Sequence, residues 1–125
     1  MEKETNNKLQ LIPKIERYVE YIFIVLNKLP RTEKFSIGTE YKQSMYKMLR
    51  DTMYITKLES KNKCLELVNT IDAELNTQRI YLRIMQKEKW IDTKKFNVAM
   101  GLIYEIGKII GGLVKYYAKN GTRSI

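Results

Sequence analysis

The chain has 125 residues, a formal net charge of +9, 30% charged and 44% hydrophobic residues, one cysteine and no histidine. That length fits one domain. Without histidine there can be no Ser-His or Cys-His nucleophile pair, no Glu-x-x-His di-iron motif, no His-ligated haem and no common zinc site, and a single cysteine excludes an intrachain disulfide.

The N-terminal stretch MEKETNNK is polar, with no apolar segment of the kind a secretory signal carries, so a cytoplasmic location is expected. The first helical pattern covers about 11–29, with Ile12, Ile15, Val19, Ile22, Leu26 and Leu29 stepping by three and four. Pro13 suits only a first turn, and Pro30 ends the helix. Lys14 and Arg17 lie near its start, and the following connection carries Arg31 and Lys34. The second pattern covers about 37–57, with Ser36 as its N-cap and Tyr41, Met45, Met48, Thr52 and Ile55 on one face. Lys47, Arg50, Tyr54 and Lys57 share another face.

The third pattern covers about 61–86, capped by Ser60. Its stripe is Cys64, Val68, Ile71, Leu75, Gln78, Leu82 and Met85, which makes Cys64 a buried, inert thiol. Arg79, Arg83 and Lys87 follow at i, i+4 and i+8 and form a basic ladder beside that stripe. It can meet successive phosphates of a nucleic acid strand, with Asn76 and Tyr81 adding hydrogen bonds or stacking. A merely solvated basic face has the same pattern. The fourth pattern covers about 93–119, capped by Asp92. One stripe is Phe96, Met100, Ile103, Gly107, Ile110, Val114 and Tyr117. A second is Leu102, Ile106, Ile109, Leu113 and Tyr116, and the polar stripe is Glu105, Lys108, Gly112, Lys115 and Lys119.

Four long helices joined by short connections predict an all-α, antiparallel, up-down-up-down four-helix bundle in one domain, 1–125, with frayed ends at 1–8 and 121–125. The nearest approach to a transmembrane run, Val98–Val114, is broken by Glu105 and Lys108, so no membrane partner is expected. Two apolar stripes on one helix imply cover on both sides, by a second subunit or by deep burial in a compact monomer. An oligomer packed through Ile106, Ile109 and Leu113 is the expectation.

Three glycines in Glu105–Tyr117 each cost about 1 kcal/mol against alanine in a helix. At Gly107 and Gly111 the missing Cβ lets another helix approach. Gly112, between Lys108 and Lys115, either admits a phosphate or neighbouring subunit or is a tolerated surface residue. Basic residues occur on every helix, and this suits a ring showing one basic surface several times. A polyanionic partner, RNA or DNA first, is expected. The carboxylates are scattered near lysines and arginines, and there is no Gly-rich phosphate loop, so neither catalytic residues, a cofactor nor a metal is expected: the chain reads as a non-enzyme.

"LPRTEKFSIGTEYKQSMYKML" (29–49), "KKFNVAMGLIYEIGK" and "EIGKIIGGLVKYY" (105–117), with Arg79 and Arg83 between, together resemble the accessory variability determinant (Avd) proteins of diversity-generating retroelements. A weaker similarity is to four-helix proteins encoded in intervening sequences of 23S ribosomal RNA genes. The resemblance spans about 10–118. It implies a bundle assembling as a homopentameric barrel with a basic surface. That barrel binds the element's reverse transcriptase and template RNA, or an RNA/DNA hybrid, and supports mutagenic copying. It matches Arg79 and Arg83 to basic positions of the third helix, and Gly107, Gly111 and Gly112 to the glycine-bearing end of the fourth. Many relatives carry tryptophan after the paired glycines, where Leu113 stands here.

Overall fold

The computed structural model describes residues 2–121, with side chains from Lys8 to Asn120. The elements are α1 (Glu2–Asn27), the one-turn α2 (Arg31–Lys34), α3 (Ile37–Ile55), α4 (Lys61–Lys87) and α5 (Thr93–Gly121), and no strand occurs among the described residues. The four long helices form a bundle in which α1 packs on α3 and α5, and α4 packs on α3 and α5. Of these pairs, α1 and α3 make the slightest contact.

Helix α1 begins well before residue 11. Its polar first turns carry no apolar period to reveal them, yet Leu11 is fully buried and the Lys8 ammonium lies 5.8 Å from the Tyr117 ring of α5. Pro13 therefore sits inside the helix, at the loss of one backbone hydrogen bond. The expected frayed residues 122–125 lie outside the described residues. Helix α2 replaces what reads as an open loop: the Pro30 carbonyl accepts from the N–H groups of Glu33 and Lys34 at 2.9 and 3.0 Å.

The expected caps divide. Ser60 Oγ accepts from Lys63 N at 3.3 Å, and Asp92 Oδ1 accepts from Lys95 N at 2.7 Å. That second bond, with the Lys95 ammonium beside it, holds the Asp92 carboxyl below its ordinary range. Ser36 does not cap α3. Its hydroxyl turns back to α2 and donates to Glu33 Oε1 at 3.1 Å. Helix α4 ends with Lys89 at φ 63°, Trp90 N–H donating to Met85 O and Lys89 N–H to Gln86 O, both at 2.9 Å. This is a Schellman cap with lysine where glycine is usual.

The buried seam of α5 is Ala99, Ile103, Ile106, Ile110, Leu113 and Tyr117, stepping by four and three. It runs between the two expected stripes. Ile106 and Leu113 therefore belong to the chain's own core, with Ile109 half-buried against it. The two apolar stripes thus need no second subunit, since α1 and α4 already cover both. Burying each such side chain contributes about 1.5–3 kcal/mol, more than the propensity cost of any one glycine. By length and composition Thr93–Asn120 passes as a membrane span. Here its apolar seam is sealed against the bundle, and Glu105, Lys108, Lys115 and Lys119 are exposed.

Candidate nucleic-acid interface

Gln78 and Leu82 anchor α4 in the core, so the residues that follow each of them, Arg79 and Arg83, fall on the flank toward α5. Arg79 is half-buried, and its guanidinium crosses to the neighbouring helix at Gly107. A Cβ at position 107 would lie 3.0 Å from Arg79 Nη2 and 4.0 Å from Leu75 Cδ2. The glycine thus leaves room for a cation rather than for a second backbone. Arg79 Nη1 also donates to Asn76 Oδ1, and Arg83 is exposed one turn further on. Asn76, Thr77, Arg79, Ile80 and Arg83 line an open depression of about 420 Å³. It has no carboxylate in its wall, and neither arginine forms an ion pair among the described residues. Lys87 continues the exposed ladder. On α5, Tyr104 lies one turn from Gly107; it is 64% exposed, with the Lys108 ammonium 5.3 Å from its ring. Lys115 is exposed further along α5. Two forked cations, three lysines and an open aromatic ring thus lie along the α4–α5 ridge. Such a surface can take phosphates by charge and an unpaired base by stacking.

The other expected cations are spread out. Lys14 lies 3.9 Å from Glu105 Oε1, bridging α1 to α5, and Lys47 is paired with Asp51 at 2.8 Å, so both charges are matched. Arg17 and Arg50 are exposed on α1 and α3, away from the ridge. Arg31 and Lys34 sit on α2 at one corner of the bundle. Of the remaining glycines, a Cβ at Gly111 or at Gly101 meets nothing within 4 Å. Gly112 is half-buried.

A family model described as bAvd-like matches residues 9–117. The chain belongs to the bAvd-like family. Comparison with curated proteins finds no significant match. The matched segment contains the whole seam and the whole α4–α5 ridge, so the arginine ladder lies on the family's own scaffold.

Inside the ridge, the bAvd-like bundle holds a buried polar chain that sequence periodicity only hinted at. Tyr18 Oη donates to Gln78 Oε1 at 2.7 Å, which commits its one hydrogen. Tyr41 must then donate to Tyr18, 2.5 Å away. Gln78 Nε2 donates to Ser44 Oγ at 2.9 Å, and Ser44 donates to Glu74 Oε1 at 2.6 Å. The bonds run one way, from Tyr41 to the half-buried Glu74 carboxylate, and join α1, α3 and α4. Burial pushes the Tyr18 hydroxyl well above its ordinary range, aided by Tyr41, with the Arg79 charge acting the other way. Burial likewise raises the Tyr41 hydroxyl well above its ordinary range. These hydroxyls hold their protons in place, which suits a structural role. The sequence signal was Gln78, a polar residue in an apolar stripe. Tyr18 had none, because it sits next to Val19 on a face already accounted for. Cys64 is buried, with its thiol 3.8 Å from the Leu58 carbonyl.

Proposed function

We propose that this chain is a non-enzymatic accessory protein of a diversity-generating retroelement, acting in the cytoplasm. In this reading it binds template RNA, or an RNA/DNA hybrid, along the α4–α5 ridge, and it holds that RNA beside the element's reverse transcriptase for mutagenic copying. Membership of the bAvd-like family supports the association with such an element. The observation that carries the nucleic-acid role is the Arg79–Arg83 depression, where the half-buried Arg79 and the exposed Arg83 line one open surface without a carboxylate. Repetition of that ridge in a homo-oligomer, a pentamer by family resemblance, would multiply the phosphates met by one RNA. Gly101 and Gly111 are exposed on α5, where a Cβ meets nothing within 4 Å among the described residues, which leaves bare backbone open to a neighbouring copy.

The test is binding of the template RNA across a salt series. Affinity should fall steeply with salt, because each neutralised phosphate releases counterions. Arg79→Ala with Arg83→Ala should leave the circular dichroism spectrum intact and lower the salt slope by about 1 per arginine. An unchanged affinity and slope would make the ladder a solvated face. Copurification from native cells with ribosomal particles, and without a reverse transcriptase, would move the chain to the ribosomal intervening-sequence reading.

A further inference from the structure

A second basic surface lies away from the α4–α5 ridge, where α1 ends and α3 begins. This is the loosest of the four helix contacts, and the gap is an open cleft of about 410 Å³. Its wall includes Phe23 and Ile24 from α1, and Lys28, Lys34 and Lys42 from the end of α1, α2 and α3. No carboxylate lines it. The nearby Glu33 carboxylate is occupied by the hydroxyls of Thr32 and Ser36, at 3.3 and 3.1 Å. The corner is fixed tightly. A Cβ at Gly38 would stand 3.3 Å from the Glu33 carbonyl oxygen and 3.5 Å from Leu29 Cδ1, so α2 and α3 meet closely, and Lys34 and Lys42 open onto one cleft.

Phe23 is 39% exposed, although the seam of α1 has buried positions to spare on either side of it at Ile22 and Val25. Tyr46 of α3 meets its ring edge-on, with centroids 6.4 Å apart, and is itself 40% exposed. The Lys42 ammonium lies 5.7 Å from the Phe23 centroid. An aromatic ring met edge-on by a second ring, beside three ammonium groups that form no ion pair among the described residues, has the composition of a stacking platform for single-stranded nucleic acid. The Lys42 contact does not block it. An exposed cation–π contact is weaker than base–aromatic stacking, so a base displaces the ammonium from the ring and leaves it free for the adjoining phosphate.

We propose that the α1–α3 cleft binds an unpaired stretch of RNA, with one base stacked on Phe23 and the flanking phosphates held by Lys28, Lys34 and Lys42. This rests on the reading that the chain's partner is nucleic acid. It adds a second site, with a different chemistry from the arginine ladder: the ladder meets phosphates, and the cleft requires an exposed base. One bundle could then hold a paired segment on the ridge and a single-stranded segment at the corner.

The experiment compares two fluorescent probes, an unstructured oligouridine of about twelve nucleotides and a blunt RNA duplex of similar length, on wild type, Phe23→Ala and Phe23→Trp. Phe23→Ala should weaken oligouridine binding by roughly five- to a hundredfold and leave duplex binding unchanged. Phe23→Trp should restore it, and its indole emission should be quenched by oligouridine and untouched by inorganic phosphate. Wild-type oligouridine affinity in Phe23→Ala, with the duplex still bound, overturns the cleft site and leaves the ridge standing. Failure of wild type to bind either probe at low salt overturns the nucleic-acid reading together with the cleft. Quenching of Phe23→Trp by an acidic aromatic peptide and not by oligouridine overturns it in favour of a protein occupant.

Discussion

Replacing both Gly101 and Gly111 with alanine separates the chain from its assembly. In α5 a Cβ at either position meets no atom of the described residues within 4 Å. No steric term offsets the helix propensity gain, which is about 1 kcal/mol per site and therefore about 2 kcal/mol for the pair. For a domain of this size that raises the melting temperature by about 8 °C, provided the chain is on its own. If the two glycines receive a second copy, the same methyl groups enter a packed contact, where overpacking costs about 1–3 kcal/mol per site. The double variant should then elute at lower mass than wild type, while its dissociated chains melt higher than dissociated wild-type chains. The assay is light scattering behind a sizing column, with thermal melts at two protein concentrations. Wild type should give several times the 14.9 kDa of one chain. A double variant that keeps the wild-type mass and simply melts higher would show that these glycines lie outside any contact. A wild type at single-chain mass at all concentrations would refute assembly itself.

Three further outcomes are expected. Gln78→Ala removes its hydrogen bonds to Tyr18 and Ser44 and leaves one hydroxyl hydrogen of the Tyr18–Tyr41 pair without an acceptor, which should cost about 3–4 kcal/mol in a urea titration; a loss below about 1 kcal/mol would mean that the polar chain adds little. Lys89→Gly relieves the left-handed backbone at the end of α4 and should stabilise the fold by about 1 kcal/mol, read as a higher melting temperature; a lower one would contradict the strain. Stability should fall in alkali. Unfolded tyrosines lose their protons near pH 10, while Tyr18 and Tyr41 keep theirs well above it. The stability due to their burial is fully present below about pH 10 and is lost as pH rises toward the folded values, by up to about 1.4 kcal/mol per pH unit for each group. Tyrosinate absorbance should then leave Tyr18 and Tyr41 untitrated until the helices melt. All nine tyrosines ionising near pH 10 in an intact fold would refute this.

The helices were legible because each carries an apolar repeat that survives its polar neighbours. Where the repeat was ambiguous, the structure chose. On α5 two adjacent stripes read as two faces, but the buried seam alternates between them through Ile103, Ile106, Ile110 and Leu113. The polar turns before residue 11 and the single turn at Arg31–Lys34 have no apolar repeat to read. Arg79 and Arg83 were legible as a ladder. That Gly107 leaves space for the Arg79 guanidinium was not, because it depends on which residue of α5 lies opposite. The Phe23–Lys42 contact joins residues on different helices, and spacing within one helix is silent about it.

The one-way chain from Tyr41 to Glu74 also bears on handedness. Four amphipathic helices of similar length can turn about their common axis in either sense, and apolar seams fill the middle almost equally well both ways. Gln78 offers one oxygen and one amide group, and these must reach Tyr18 on α1 and Ser44 on α3 together. In the mirror arrangement α3 and α5 exchange places beside α4 while α1 stays on the diagonal, so the Gln78 amide nitrogen faces α5 instead of Ser44. The chain then buries unpaired polar atoms, at about 1–3 kcal/mol each. A few hydrogen bonds that add little to the depth of the native well thus raise the floor of its nearest competitor.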